Sequence, residues 1–179
     1  MALFREQADV SVRPAQPDDE AAIARVQLRA WRSSHAALLG PEVLEQIDVT
    51  AVRDQWSRAI TAPPSPAHHV LVACDGARVI GFAASAPVED GVEILALEVD
   101  PDHQRGGHGS RLLTACVDLG RDQGAQHLQT WVLDDDDARA QFLSSAGLGP
   151  DGAHRDLATG TTAEGATRAV SERRWVAEL

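Results

Sequence analysis

Three glycines and two carboxylates stand where chemistry can be done. Gly106, Gly107 and Gly109 lie in the stretch Asp100-Pro101-Asp102-His103-Gln104-Arg105-Gly106-Gly107-His108-Gly109-Ser110. Glycine lets a backbone bend sharply and lets a ligand come close. A helical pattern, Arg111 to Gly124, follows them. A glycine-rich loop that feeds a helix start presents unpaired N–H groups at the positive end of the helix dipole. Such a place binds anions, and phosphate is its usual occupant. Upstream, Glu98 interrupts the apolar run Ile94 to Val99, and a charge within a buried strand needs a reason. Glu93 opens the same strand; with odd spacing, an unbroken strand would turn Glu93 and Glu98 to opposite faces unless a bulge intervened.

The loop has neither the GxGxxG spacing of dinucleotide folds nor the GK[ST] of a P-loop. Gln104-x-x-Gly107-x-Gly109, after Val99-x-Pro101 and before Leu112-Leu113, instead resembles the acetyl-coenzyme A loop of the GNAT N-acetyltransferases. The resemblance covers nearly the whole chain. It is weakest over residues 1–7 and 149–170.

The elements that must position these residues follow from the hydrophobic pattern. A first strand is expected over residues 8–14, a helix from Pro17 through Trp31, and a turn at Leu38-Leu39-Gly40-Pro41. A second helical region is expected from Pro41 to Ile60. Strands follow at Val70–Ala73 and Val79–Ser85, joined by a hairpin at Asp75-Gly76. Pro87 to Gly91 is read as a turn into the strand Val92–Val99. After the loop helix come a strand at His127–Leu133, a helix at Asp137–Ser145, and two strands around Thr159–Gly165, the last at Arg173–Glu178. The order β-α-α-β-β-β-α-β-α-β-β is a mixed α/β layout with one strand–helix–strand unit at its centre. It matches the family's fold, a mixed and mostly antiparallel central sheet with flanking helices. At 179 residues, one domain over 1–179 is expected.

Composition narrows the partners. The net charge of −11 argues against a nucleic-acid backbone and favours attraction of protonated amines. No apolar run reaches the length of a membrane span, and the first residues lack a signal h-region, so a cytoplasmic location is expected. Cys74 and Cys116 lie in apolar contexts without CxxC spacing and read as buried free thiols. His35, His68, His69 and His103 show no ligand spacing, so no metal site is expected. Trp31 and Trp56 read as core residues. Lys, Asn and Tyr are missing, and all sixteen Lys/Arg positions are Arg, a bias of the kind GC-rich bacterial genomes carry.

The resemblance implies attack of an amine on the acetyl thioester within a ternary complex. The amine is small or part of a peptide, and a homodimer is left open. The amides of Arg105, Gly106, Gly107, His108, Gly109 and Ser110, with Gln104, would hold the pyrophosphate. The backbones of Leu97 and Val99 would pair with the pantetheine arm, the Val99 N–H polarising the carbonyl. Glu98, then Glu93, is the expected base. The family pattern near Asn-x-x-Ala-x-x-x-Tyr, with Phe before Tyr, falls on Asp136 to Leu143. Asp136 and Phe142 are thereby cofactor contacts, but Leu143 replaces the Tyr acid, leaving water or Ser144 to protonate the leaving thiolate. Asp134 and Asp135 would form an amine-attracting rim or simply a helix start, and His35 falls in the segment that closes over acceptors. Two other classes remain: a non-catalytic coenzyme A-binding regulator, which Leu143 favours, and a nucleotide-binding regulatory domain.

Overall fold

The computed structural model describes residues 10–36, 44–161 and 167–179. Its elements are β1 (Val10–Pro14), α1 (Glu20–Ser34), α2 (Val49–Thr61), β2 (His69–Asp75), β3 (Arg78–Val88), β4 (Gly91–Val99), a 3₁₀ turn (Pro101–His103), α3 (His108–Asp122), β5 (His127–Leu133), α4 (Asp137–Ser145), β6 (Gly149–Thr161) and β7 (Thr167–Glu178). The seven strands run in the order β1-β2-β3-β4-β5-β7-β6. The β4–β5 pair is parallel, while β1–β2, β2–β3, β5–β7 and β6–β7 are antiparallel. This is the mixed α/β sheet and the element order that the sequence predicts.

The chain divides into two compact units, one drawn from Met1–Ser85 and Ala96–Cys116, the other from Ala86–Leu95 and Val117–Leu179. In the first, Ile23, Ala24 and Val26 of α1 pack with Trp56 of α2 and with Val72, Cys74, Val79 and Phe82 of the sheet. Trp56 meets Phe82 edge-on at 4.9 Å between centroids, and its indole N–H donates to Gln27 Oε1 at 2.7 Å. Trp31, by contrast, is only half-buried. Both cysteines are buried and free, and burial pushes the Cys116 thiol up to about 12. In the second unit, Trp131 lies beneath the Arg155 guanidinium, 4.2 Å from the ring centroid.

Several boundaries differ from the sequence-based ones, each for a local reason. Helix α1 starts at Glu20, after Asp18 at φ 80°. The Asp19 carboxylate does not cap it, because both of its oxygens accept from the Arg13 guanidinium at 2.6 and 3.1 Å. The second helical region is not continuous. Asp48 is extended and accepts from the amides of Thr50 and Ala51, so a new helix begins at Val49. The expected turn at residues 38–41 lies outside the described residues, as does the 162–166 part of the β6–β7 connection. Strand β3 runs through Pro87 to Val88, which leaves Glu89 and Asp90 as the turn, with Asp90 at φ 54°. Helix α3 starts three residues before Arg111, at His108. The final strands are also longer than expected, at 13 and 12 residues.

Candidate active site

The loop between the 3₁₀ turn and α3 has the backbone its glycines imply. Arg105 sits at φ 63° and Gly107 at φ 78°, so two of three successive residues hold left-handed backbone. Arg105 holds a left-handed conformation without being glycine, a strain that clusters at functional sites. A Cβ on Gly106 would lie 2.8 Å from His108 Nε2, and Arg111 Nη1 donates to the Gly106 carbonyl at 3.0 Å. The Arg111 amide donates to the Gly107 carbonyl at 3.0 Å. His108, Gly109 and Ser110 therefore form the first turn of α3, whose amides point out of the positive end. Gln104 to Gly107 are exposed. Gln104 also donates from Nε2 to the Val99 carbonyl at 3.3 Å, which fastens the loop to the end of β4.

His108 is buried, and its Nδ1 has no hydrogen-bond partner among the described residues. Its pKa is lowered, first by burial and then by the Arg111 and His103 charges, with Asp75 opposing. A neutral imidazole is thus favoured beside the loop.

On β4, Leu97 and Val99 are buried and Glu98 is half-buried. Strand β3 approaches closely here: a Cβ on Gly81 would stand 3.1 Å from the Glu98 carbonyl. Burial along β4 changes phase, with Val92 and Ile94 buried at one end and Leu97 and Val99 at the other. The parallel register to β5 runs from Gly91↔His127 to Ile94↔Thr130, while β4 continues to Val99. Glu93, in that paired stretch, accepts a hydrogen bond from Gln129 Nε2.

The acidic run serves several purposes. Asp136 is the N-cap of α4, accepting from the Arg139 amide at 3.0 Å. Asp134 accepts from Arg173 Nε at 2.7 Å. Asp135 is exposed, Phe142 is half-buried and Leu143 is buried. His35 closes α1, its amide donating to the Trp31 carbonyl at 2.8 Å, and its ring is half-buried. Among the described residues, no group of three or more His, Cys, Asp or Glu is arranged to hold a metal.

Sequence reading missed Asp100 and Arg29. Asp100 has no exposed surface, and its Oδ2 accepts from Arg29 Nη1 at 3.1 Å. The available signal was a charged residue directly after the buried strand end; its partner, 71 residues earlier in α1, carries no local mark.

Comparison with known proteins agrees with this strand, loop and helix. The model of the Acetyltransferase (GNAT) family matches residues 25–148. The uncharacterised N-acetyltransferase YuaI of Bacillus subtilis (strain 168) is 28% identical over 133 residues, spanning 70% of this chain and 72% of that protein. Among solved structures, PaiA N-acetyltransferase from Thermoplasma acidophilum, in complex with coenzyme A, superposes with a TM-score of 0.71 at 15% identity, over 95% of this chain and 99% of that one. Ribosomal-protein-alanine N-acetyltransferase from Brucella melitensis gives 0.68 at 21% identity, over 94% and 99%. YncA, a putative acetyltransferase from Salmonella typhimurium with acetyl-CoA, gives 0.63 at 20% identity, over 96% and 94%. At these identities the structures speak for the fold, whereas the family model covers more than half of the sequence: the chain belongs to the Acetyltransferase (GNAT) family, whose members are acyltransferases that use acetyl-CoA.

Proposed function

We propose that residues 1–179 act as one cytoplasmic N-acetyltransferase domain. It acetylates a primary amine, on a small molecule or a peptide, by direct attack in a ternary complex. One observation carries the reading: left-handed backbone at Arg105 and Gly107 delivers the chain into the first turn of α3. The cradle fits a diphosphate. Side chains are excluded at Gly106 by His108, and the helix end supplies a field that needs no lysine. The amides of Arg105 to Ser110 hold the pyrophosphate, with Arg105 and Arg111 adding charge. Leu97 and Val99 offer main-chain hydrogen bonds to the pantetheine arm.

Acetyl-CoA supplies an activated acetyl thioester. The protein's task is to bring a neutral amine to it. An alkylamine has a pKa near 10.4 and is mostly protonated at neutral pH, so a base is required. Glu98 takes that proton, directly or through water, and Glu93 is the second choice. The Val99 N–H polarises the carbonyl oxygen. With Leu143 at the tyrosine position, water or Ser144 would supply the proton that the leaving thiol needs. A thiol pKa near 8.5 makes it a fair leaving group without a dedicated acid. In support, the two cofactor-bound neighbours, PaiA and YncA, share this fold.

The alternative, a coenzyme A-binding regulator without turnover, is favoured by Leu143. An amine panel with acetyl-CoA, read as release of free coenzyme A thiol, separates the two. Amine-dependent release supports the enzyme. Coenzyme A binding with no amine-dependent release supports the regulator.

A further inference from the structure

The 3₁₀ turn that launches the loop is held by a charge cluster that the acetyl-transfer chemistry does not use. Asp100 follows β4, is fully buried, and donates its amide to the Ile80 carbonyl at 2.7 Å. Its Oδ1 accepts the Asp102 amide at 3.1 Å, which caps the 3₁₀ turn. Its Oδ2 accepts from Arg29 Nη1 at 3.1 Å, and the other arm of the same guanidinium, Nη2, donates to Asp102 Oδ2 at 2.7 Å. One arginine on α1 therefore joins a buried carboxylate and an exposed one, two residues apart, at the mouth of the loop. Asp102 is held below the usual carboxylate range, first by its hydrogen bond to Arg29. Among the described residues His103 also faces Asp100, its Nδ1 3.7 Å from Oδ1, beyond hydrogen-bond length.

We infer that Arg29 is a positioning residue for the cofactor loop, gripping Asp100 and Asp102 so that Gln104–Ser110 leaves β4 along one fixed path. The inference rests on the acetyl-CoA reading of that loop. Two side-chain bonds restrain the exposed segment further along, from Gln104 to the Val99 carbonyl and from Arg111 to the Gly106 carbonyl. The first ties the exit of the turn to the end of β4 and the second acts within the loop, whereas Arg29 ties the turn itself to α1. The planar guanidinium spans two carboxylates at once, which a lysine ammonium on its flexible stem does not reproduce. Arg29 touches neither the acyl group nor the amine in this scheme. Its loss should therefore weaken cofactor binding without a matching loss in the chemical step.

The test compares three variants with the wild type. Arg29→Lys keeps a positive charge beside Asp100. Arg29→Met with Asp100→Asn removes both members of the buried pair, so no uncompensated charge remains in the interior. Asp102→Asn breaks only the exposed arm and keeps the buried pair. Each is measured for melting temperature, coenzyme A affinity by calorimetry, KM for acetyl-CoA, KM for amine, and kcat. For Arg29→Lys and the double variant, the coenzyme A Kd and acetyl-CoA KM should rise about tenfold, kcat should stay within about threefold, and amine KM should hold. Asp102→Asn should give a smaller rise in the same two constants. Folded variants that all bind coenzyme A like the wild type would overturn the positioning role, as would an equal fall in kcat with no change in KM. Should the double variant not fold, Arg29→Lys and Asp102→Asn carry the decision. A wild type that fails to bind coenzyme A would instead remove the loop assignment beneath the inference.

Discussion

Glu93 and Gln129 sit opposite one another in the parallel register of β4 and β5, and Gln129 Nε2 donates to the Glu93 carboxylate. That bond engages a Glu93 carboxylate oxygen with a partner inside the sheet. It is one reason to rank Glu98 ahead of Glu93 as the base. Glu98→Gln should lower kcat/KM at neutral pH by about 10²–10⁴-fold, the usual worth of general base catalysis. Glu93→Gln should cost less than about tenfold. Restoring the Glu98→Gln rate by raising pH, which deprotonates the amine in solution, would identify the lost group as a base. If the two variants show the reverse order, the assignment of the base is reversed too.

Gly107 is needed for its φ of 78° and for its proximity to Arg111, whose Nη1 would stand 3.3 Å from an added Cβ. Gly107→Ala places a side chain in left-handed backbone at a cost of about 1–2 kcal/mol. The loop is exposed, so this strain should also appear in cofactor binding. Acetyl-CoA KM is expected to rise about tenfold, and the melting temperature to fall by a few degrees. Gly124, also at positive φ, has open space around it and lies at the far end of α3. Gly124→Ala should cost a similar amount of stability and leave KM unchanged.

Leu143 is buried, with 3% of its surface exposed. Leu143→Ala should cost about 2–5 kcal/mol, read by chemical denaturation. Leu143→Tyr restores the phenol that the family places here. Its extra bulk should lower stability by about 1–3 kcal/mol, while turnover per folded molecule rises. Unchanged turnover would mean that the tyrosine position is irrelevant in this chain.

Acid should weaken the first unit through Asp19. The Arg13 guanidinium, mainly by hydrogen bonding, holds the Asp19 carboxyl below its ordinary value of 3.8. A depressed folded-state pKa adds stability that is fully present above the unfolded value and is lost as pH falls through the folded one. The loss therefore falls below pH 3.8. Both side chains keep some solvent contact, so the effect is at most about 1 kcal/mol. Arg13→Met should flatten the acid limb of a stability–pH curve in that window. An unchanged curve would show that the pair contributes nothing.

Much of this molecule was legible in its residues, because apolar alternation, proline and glycine act locally. Helix α4, Asp137–Ser145, and strand β5, His127–Leu133, fall where the pattern puts them. Asp136 caps α4, as one reading of the acidic run expected. Boundaries failed where a distant partner decided them. At the start of α1 the Asp19 carboxylate is engaged by Arg13 on β1, and Asp134 in the acidic run pairs with Arg173 on β7. Helix α3 begins at His108 because Gly107, not Ser110, accepts its first bond. The Arg29–Asp100 pair was invisible for the same reason: its members are far apart in sequence, and only packing joins them.

The central claim is that the amides between Arg105 and Ser110 bind the diphosphate of acetyl-CoA. Amide NMR of the full chain, titrated with coenzyme A and in parallel with inorganic pyrophosphate, tests it most directly. Saturable shifts should be largest at residues 105–110 with both ligands, and coenzyme A alone should extend them along Leu97 to Val99. Saturation by coenzyme A with residues 105–110 unmoved would contradict the account.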